Sequence, residues 1–148
     1  MIVPDINLLL YAYVDTFPEH RAAAAWWQET LSGGTEVGLG APVIFGFIRL
    51  ATNPRIFDPP AEIETVIAHV EEWLSFPNAR FLLPGPRHLE VAFRFLKVLG
   101  AAGALTTDIQ IAALAVEYQA ELHSNDADFG RFPGLRWINP LEREPAES

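Results

Sequence analysis

The sequence predicts an α/β fold in which helices cover both faces of a mainly parallel sheet. Two observations predict it: short apolar segments alternate with longer helical patterns, and no apolar run approaches the length of a membrane span. Half of the 148 residues are hydrophobic and a fifth are charged, which suits one well-packed core. We therefore expect a single domain over residues 1–141 and a flexible polar tail over residues 142–148.

The N-terminal part of the chain predicts one strand and two helices. Residues 1–4 form a short apolar run, and Asp5 is a suitable N-cap for an apolar helix over residues 6–13. Residues 16–19 match a capping box with a proline in the first turn, which predicts a second helix that ends at about Leu31.

The middle of the chain predicts a strand between helices. Residues 36–40 are a weak strand candidate, and Pro42 is placed to begin a helix that runs to Ala51. Residues 58–60, an aspartate followed by two prolines, predict the start of the next helix, which should end before Phe76.

The C-terminal part continues the alternation. Pro86 is placed to begin a helix that stops near Gly100, and a second capping box at residues 107–110 introduces an apolar helix over residues 109–118. Strands are expected at residues 80–83, 121–124 and 135–138. In a sheet of this kind the functional residues follow the carboxyl ends of the strands.

Charge and composition exclude several classes of protein. The net charge is −9, which disfavours a protein that coats nucleic acid by bulk electrostatics. The chain has no cysteine, which removes thiolate catalysis and Cys-based metal sites and fits a cytoplasmic protein. No glycine-rich dinucleotide or P-loop motif is present, and the start of the chain does not read as a secretory signal.

Four aspartates fall where the sheet rule places a site. Asp5 follows the first strand, Asp108 opens an apolar helix, and Asp126 and Asp128 follow the strand near residue 124. Each alone suits an N-cap, but if the first and fourth strands are neighbours the carboxylates meet at one edge and repel. A cation then has to neutralise them, and all-oxygen ligation favours Mg²⁺ or Mn²⁺ and phosphoryl chemistry.

Two polar residues are candidates for supporting roles beside these carboxylates. Asn7 is placed to orient Asp5 or a bound water, although it also suits an ordinary first-turn position. Ser124 is placed to hydrogen-bond a ligand carboxylate, although it can equally satisfy a strand end.

Blocks of sequence along almost the whole chain resemble one family. They are IVPDINLLLYAY at residues 2–13, FIRLATNPRIF at 47–57, the stretch from 105 to 135 that contains TTDIQIAALAVEY and SNDADFGRF, and WINPL at 137–141. Together they resemble PIN-domain ribonucleases, and in particular the VapC toxins of type II toxin–antitoxin systems.

The resemblance implies a PIN-like three-layer α/β/α sandwich and a Mg²⁺-dependent RNA endonuclease, with Mn²⁺ able to substitute. The family's acidic metal ligands match Asp5, Asp108 and Asp126, with Asp128 as a neighbour. Arg49 matches, with Arg55, a family stretch suited to RNA phosphates. The family also implies a VapB-like antitoxin and a homodimer.

One position departs from the family pattern. Many PIN domains carry a glutamate in the middle helix, and Gly46 occupies that place here. Water or Asp128 then supplies the missing ligand, or activity is reduced. Two alternatives remain: a non-catalytic PIN-like module that binds RNA or protein, and a phosphatase of the haloacid dehalogenase type, which Asn7 disfavours because that site wants a second aspartate there.

Overall fold

The central feature of the fold is a parallel five-stranded sheet. The computed structural model describes residues 1–100 and 106–142; most of the predicted tail, residues 143–148, lies outside the described residues. Within these ranges the strand order is β3-β2-β1-β4-β5, and every pair is parallel. The strands are β1 (Ile2–Pro4), β2 (Val37–Gly40), β3 (Ala79–Leu82), β4 (Glu121–His123) and β5 (Trp137–Ile138).

Helices connect and cover the strands, so the predicted three-layer α/β/α sandwich is confirmed. They are α1 (Ile6–Tyr13), α2 (His20–Ser32), α3 (Ala41–Ala51), α4 (Ile63–Ser75), α5 (His88–Leu99) and α6 (Thr106–Glu117), with a short 3₁₀ helix over Ala127–Arg131. In the described ranges no helix combines the length and apolar character needed to cross a bilayer.

The pairing of β1 with β4 positions the acidic residues. Ile2 lies opposite Glu121, and Pro4 lies opposite His123. The backbone N–H of Asp5 continues this ladder by donating to the His123 carbonyl at 2.8 Å. The residues after both strands therefore lie side by side at one edge of the sheet, as predicted for neighbouring first and fourth strands.

The predicted starts of two helices are wrong because tertiary contacts hold the preceding segments. Helix α2 begins at His20 without a side-chain cap, while Phe17 packs edge-on against Tyr11 and Phe57. Helix α4 begins at Ile63, well after the Asp-Pro-Pro segment, because the Ala61 N–H bonds to the last turn of α3. At both places, tertiary contacts of the preceding segment override the local capping pattern and set where the helix begins.

The α6 start also differs from the sequence expectation. The helix is already formed at Thr106, so the capping box does not open it at residue 109. Asp108 still lies in the first turn of α6, as expected for the residue that opens this helix, and its charge interacts favourably there with the helix N-terminus.

The core predicts a sharp contrast between two leucine substitutions. Leu9 is fully buried under the sheet, so Leu9→Ala should lower the free energy of unfolding by about 2–5 kcal/mol. Leu89 is 63% exposed on α5, and Leu89→Ala should change it by less than about 0.5 kcal/mol. Urea denaturation of both variants checks this; similar losses in the two would contradict the assigned core.

Candidate active site

Asp5 is a buried carboxylate at the junction of β1 and α1. It is 5% exposed and caps α1, since Oδ1 accepts the Ile6 N–H at 2.7 Å. Its other oxygen, Oδ2, accepts the Ser124 hydroxyl at 2.7 Å. Burial raises the pKa of Asp5 above its ordinary value, although the Ser124 and Ile6 hydrogen bonds oppose this, and the charge on Asp126 raises it further.

Ser124 connects Asp5 to the acidic turn that follows β4. The side chain of Ser124 is fully buried, and its oxygen accepts the Asp126 N–H at 3.0 Å while its hydroxyl donates to Asp5. Asp126 in turn accepts the Asp128 N–H on Oδ1 at 2.9 Å, which caps the 3₁₀ helix. One serine thus ties together two acidic segments that lie far apart in the sequence.

Asp108 joins the same electrostatic cluster from α6. Burial raises the pKa of Asp108 to about 6, and the nearby charges of Asp5, Asp126 and Asp128 add to the effect. Its place in the first turn of the helix is worth only about 0.3–1 kcal/mol in the opposite direction. Asp5, Asp126 and Asp128 therefore lie close enough to Asp108 to act on it electrostatically, and Asp108 is the aspartate on which all three of the other charges act.

The donor chemistry of this cluster suits a hard divalent cation. Each carboxylate oxygen of Asp5 uses one lone pair in its hydrogen bond and keeps a second for a ligand. Ion pairs in the described part of the chain all use glutamates, so no lysine or arginine there neutralises the four aspartates. Mg²⁺ and Mn²⁺ bind carboxylate oxygens, and either ion would neutralise carboxylates that repel one another and lack a cationic partner.

The side chains do not form a finished metal cage. Within residues 1–100 and 106–142, no three acidic or histidine side chains converge as a ready ligand group. Asn7 Oδ1 is buried without a hydrogen-bond partner among the same residues, and its amide makes no bond to Asp5 there. A buried acceptor without a donor is costly, so Asn7 Oδ1 is available to accept a hydrogen bond.

Gly46 lies at a packing contact beside the site. It is buried in α3, and a Cβ placed there would lie 3.0 Å from Ile6 Cγ1 and closer still to its Cδ1. Ile6 follows Asp5 directly, and a larger residue at position 46 would require the end of the Ile6 side chain to turn away.

The two candidate RNA-binding arginines are exposed but lie apart from the acidic cluster. Arg49 is in the last turn of α3, about 12 Å along the helix from its start at the sheet edge, and Arg55 follows that helix. A pocket of about 650 Å³, which no sequence pattern indicated, lies at the far end of α1 and is lined by Tyr13, Trp27 and Trp73 among others. That pocket is separated from Asp5 by the length of α1.

The sequence matches the family model of the PIN domain over residues 2–135, a range that includes all four aspartates. The chain belongs to the PIN-domain family. This membership sets aside the haloacid dehalogenase alternative, whose expected second aspartate is absent at Asn7.

Relatives of this PIN domain carry VapC names, which confirms the resemblance in the sequence. Ribonuclease VapC33 of Mycobacterium tuberculosis is 54% identical over 141 residues, which are 95% of this chain and 99% of that protein. Ribonuclease VapC37 of the same organism is 39% identical over 140 residues, which cover 95% of this chain and 97% of that protein.

Solved structures share the fold of this PIN domain at low sequence identity. VapBC2 from Rickettsia felis, bound to a promoter DNA fragment, has a TM-score of 0.69 at 16% identity and covers 94% of this chain and 98% of that chain. VapC20 of Mycobacterium tuberculosis, described as a sarcin-ricin loop cleaving toxin, has a TM-score of 0.67 at 17% identity and covers 92% and 99%.

Burial of Asp108, together with the neighbouring carboxylate charges, predicts a pH-dependent stability in metal-free buffer. The pKa of Asp108 is about 6 in the folded chain, and its ordinary value is 3.8. Between these two pH values the Asp108 carboxyl is mostly protonated in the folded state and mostly ionised in the unfolded state. The free energy of unfolding should therefore fall as the pH rises through this window.

Asp108→Asn provides the control for this prediction. It removes the charge, so its stability should depend less on pH and should exceed that of the wild type at pH 7 in the presence of EDTA. Denaturation of both proteins at acid and neutral pH measures the effect; a wild type whose stability rises most steeply through this window would contradict it.

Proposed function

We propose that this PIN domain is an endoribonuclease toxin of a VapBC-type toxin–antitoxin system. The observation that carries the proposal is that Ser124 links Asp5 to Asp126 where β1 and β4 end, and that the charges of both aspartates act on Asp108, with Asp128 beside them. The names of the ribonuclease relatives, which match almost the full length of residues 1–141, support RNA as the substrate.

The residues of the chain divide the work of phosphodiester hydrolysis. Asp5, Asp108 and Asp126 would hold a divalent cation, Mg²⁺ or in its place Mn²⁺, and Asp128 is placed to orient its waters. A cation bound there supplies two effects: it makes water a better nucleophile at neutral pH and offsets negative charge on the phosphate. Ser124 keeps Asp5 oriented, which fixes the geometry before substrate arrives.

The substrate contacts and partners extend this proposal. Arg49 and Arg55 would bind RNA phosphates beyond the cleaved bond, since a guanidinium matches a phosphate through paired N–H donors. A VapB-like antitoxin is the proposed inhibitor, in keeping with the VapBC2 assembly that shares the fold. The proposal retains the homodimer that the family resemblance implies and the cytoplasmic location that the absence of cysteine fits.

Loss of one acidic charge should abolish most RNA cleavage. Asp126→Asn keeps the oxygen that accepts the Asp128 N–H but removes the charge, and loss of one preorganised charge-stabilising group costs about 100- to 1000-fold in rate. Asp15→Asn removes an exposed aspartate elsewhere and should cleave like the wild type. Cleavage of a labelled RNA with Mg²⁺ measures both; full activity in Asp126→Asn would refute the ligand assignment.

Metal binding should also stabilise the folded protein. Mn²⁺ at about 100 times its dissociation constant should add about 2.7 kcal/mol to the free energy of unfolding of the wild type. The same Mn²⁺ should add much less in Asp126→Asn and the full amount in Asp15→Asn. Stable RNA binding without any effect of Mn²⁺ on the wild type would instead support the non-catalytic module.

A further inference from the structure

The segment that follows β4 is held in place by the C-terminal strand β5 and the residues after it. The Ser124 N–H donates to the Ile138 carbonyl at 3.0 Å, and the indole N–H of Trp137 donates to the Ser124 carbonyl at 3.0 Å. The Trp137 ring also lies against Gly130 of the 3₁₀ helix, since a Cβ on that glycine would be 3.5 Å from it.

Asn139 contacts Asn125, the residue directly before Asp126. Its side-chain Nδ2 donates to Asn125 Oδ1 at 2.9 Å, and its Oδ1 accepts the Leu141 N–H at 3.0 Å. The Leu141 bond fixes which way the Asn139 amide faces, because only its oxygen can accept. The Asn125 oxygen must then be the acceptor in the bond between the two side chains.

Asn125 lies between two functional residues of the turn. Ser124 on one side bonds Asp5, and Asp126 on the other side contributes its carboxylate to the cluster. Within the turn, Ser124 and the Asp126 carboxylate accept backbone N–H groups, while the like charges of Asp126 and Asp128 repel each other. The bond from Asn139 to Asn125 adds a contact from outside the turn that opposes this repulsion and helps to keep the backbone in one position.

We propose that Asn139 is a positioning residue for the metal-binding turn, acting through Asn125 with Trp137 as a second anchor. This inference rests on the proposed function, since the turn is positioned for the cation that Asp126 would hold. Asn139 lies in the WINPL segment, which shares the resemblance to the family but has so far had no role. It touches no substrate and no reacting atom.

The first arm of the test measures Mn²⁺ affinity by titration calorimetry on the full chain. Asn139→Ala and Asn125→Ala each remove the side-chain bond, and loss of such an outer contact costs about tenfold or more in metal affinity. The double variant should lose no more than either single variant, because both remove the same bond. Asn125→Asp keeps the accepting oxygen and should bind Mn²⁺ at least as tightly as the wild type.

The second arm needs no metal. Amide hydrogen exchange, followed by NMR in EDTA, should be faster at Asp126 in Asn139→Ala and unchanged at Leu9 in helix α1. Thermal melts check that each variant is folded. If Asn139→Ala does not fold, Trp137→Phe replaces it, because it removes the N–H bond of the second anchor to Ser124 together with the part of the indole that contacts Gly130.

The outcomes separate this inference from the proposed function. Wild-type Mn²⁺ affinity and unchanged Asp126 exchange in the folded variants would overturn the positioning role alone. Loss of affinity in Asn125→Asp would also overturn it, because that variant retains the hydrogen bond. A wild type that binds no Mn²⁺ and cleaves no RNA would overturn both proposals.

Discussion

A carboxylate buried beside the central strands is the constraint on which this site depends. Removing Asp5 from water costs several kcal/mol, and hydrogen bonds to a charged group return about 1.5–3 kcal/mol each. The Ile6 and Ser124 bonds therefore offset much of the cost but not all of it, and the pKa of Asp5 stays raised. The remaining cost is what a bound cation would relieve.

The same constraint explains how stability and function oppose each other at the sheet edge. Asp108 would be favourable as an isolated first-turn residue of α6, yet burial and three neighbouring carboxylates raise its pKa to about 6. The fold tolerates this repulsion because the rest of the molecule is well packed, with large side chains such as Phe47 and Phe95 fully buried. The mutually repelling carboxylates are thus concentrated at a site where a bound ligand can stabilise them.

Much of the fold and the acidic site could be predicted from the sequence because the signals are local. Apolar runs mark the strands, and aspartates that follow strands or open helices mark the edge. The starts of α2 and α4 could not be predicted in this way. Their capping patterns are as good as those of true helix starts, but Phe17 packs against Phe57 before α2, and the Ala61 N–H bonds to Ala51 before α4.

The sequence by itself determined the alternation of strands and helices, the all-carboxylate chemistry and the family resemblance, since each follows from residue type and spacing. Only the tertiary structure decided that β1 lies beside β4, because strand order depends on how distant segments pack. That pairing places Ser124 against Asp5, and the addition of β5 places Asn139 against Asn125. Hydrogen bonds between residues so far apart in the chain leave no periodic pattern from which they can be inferred.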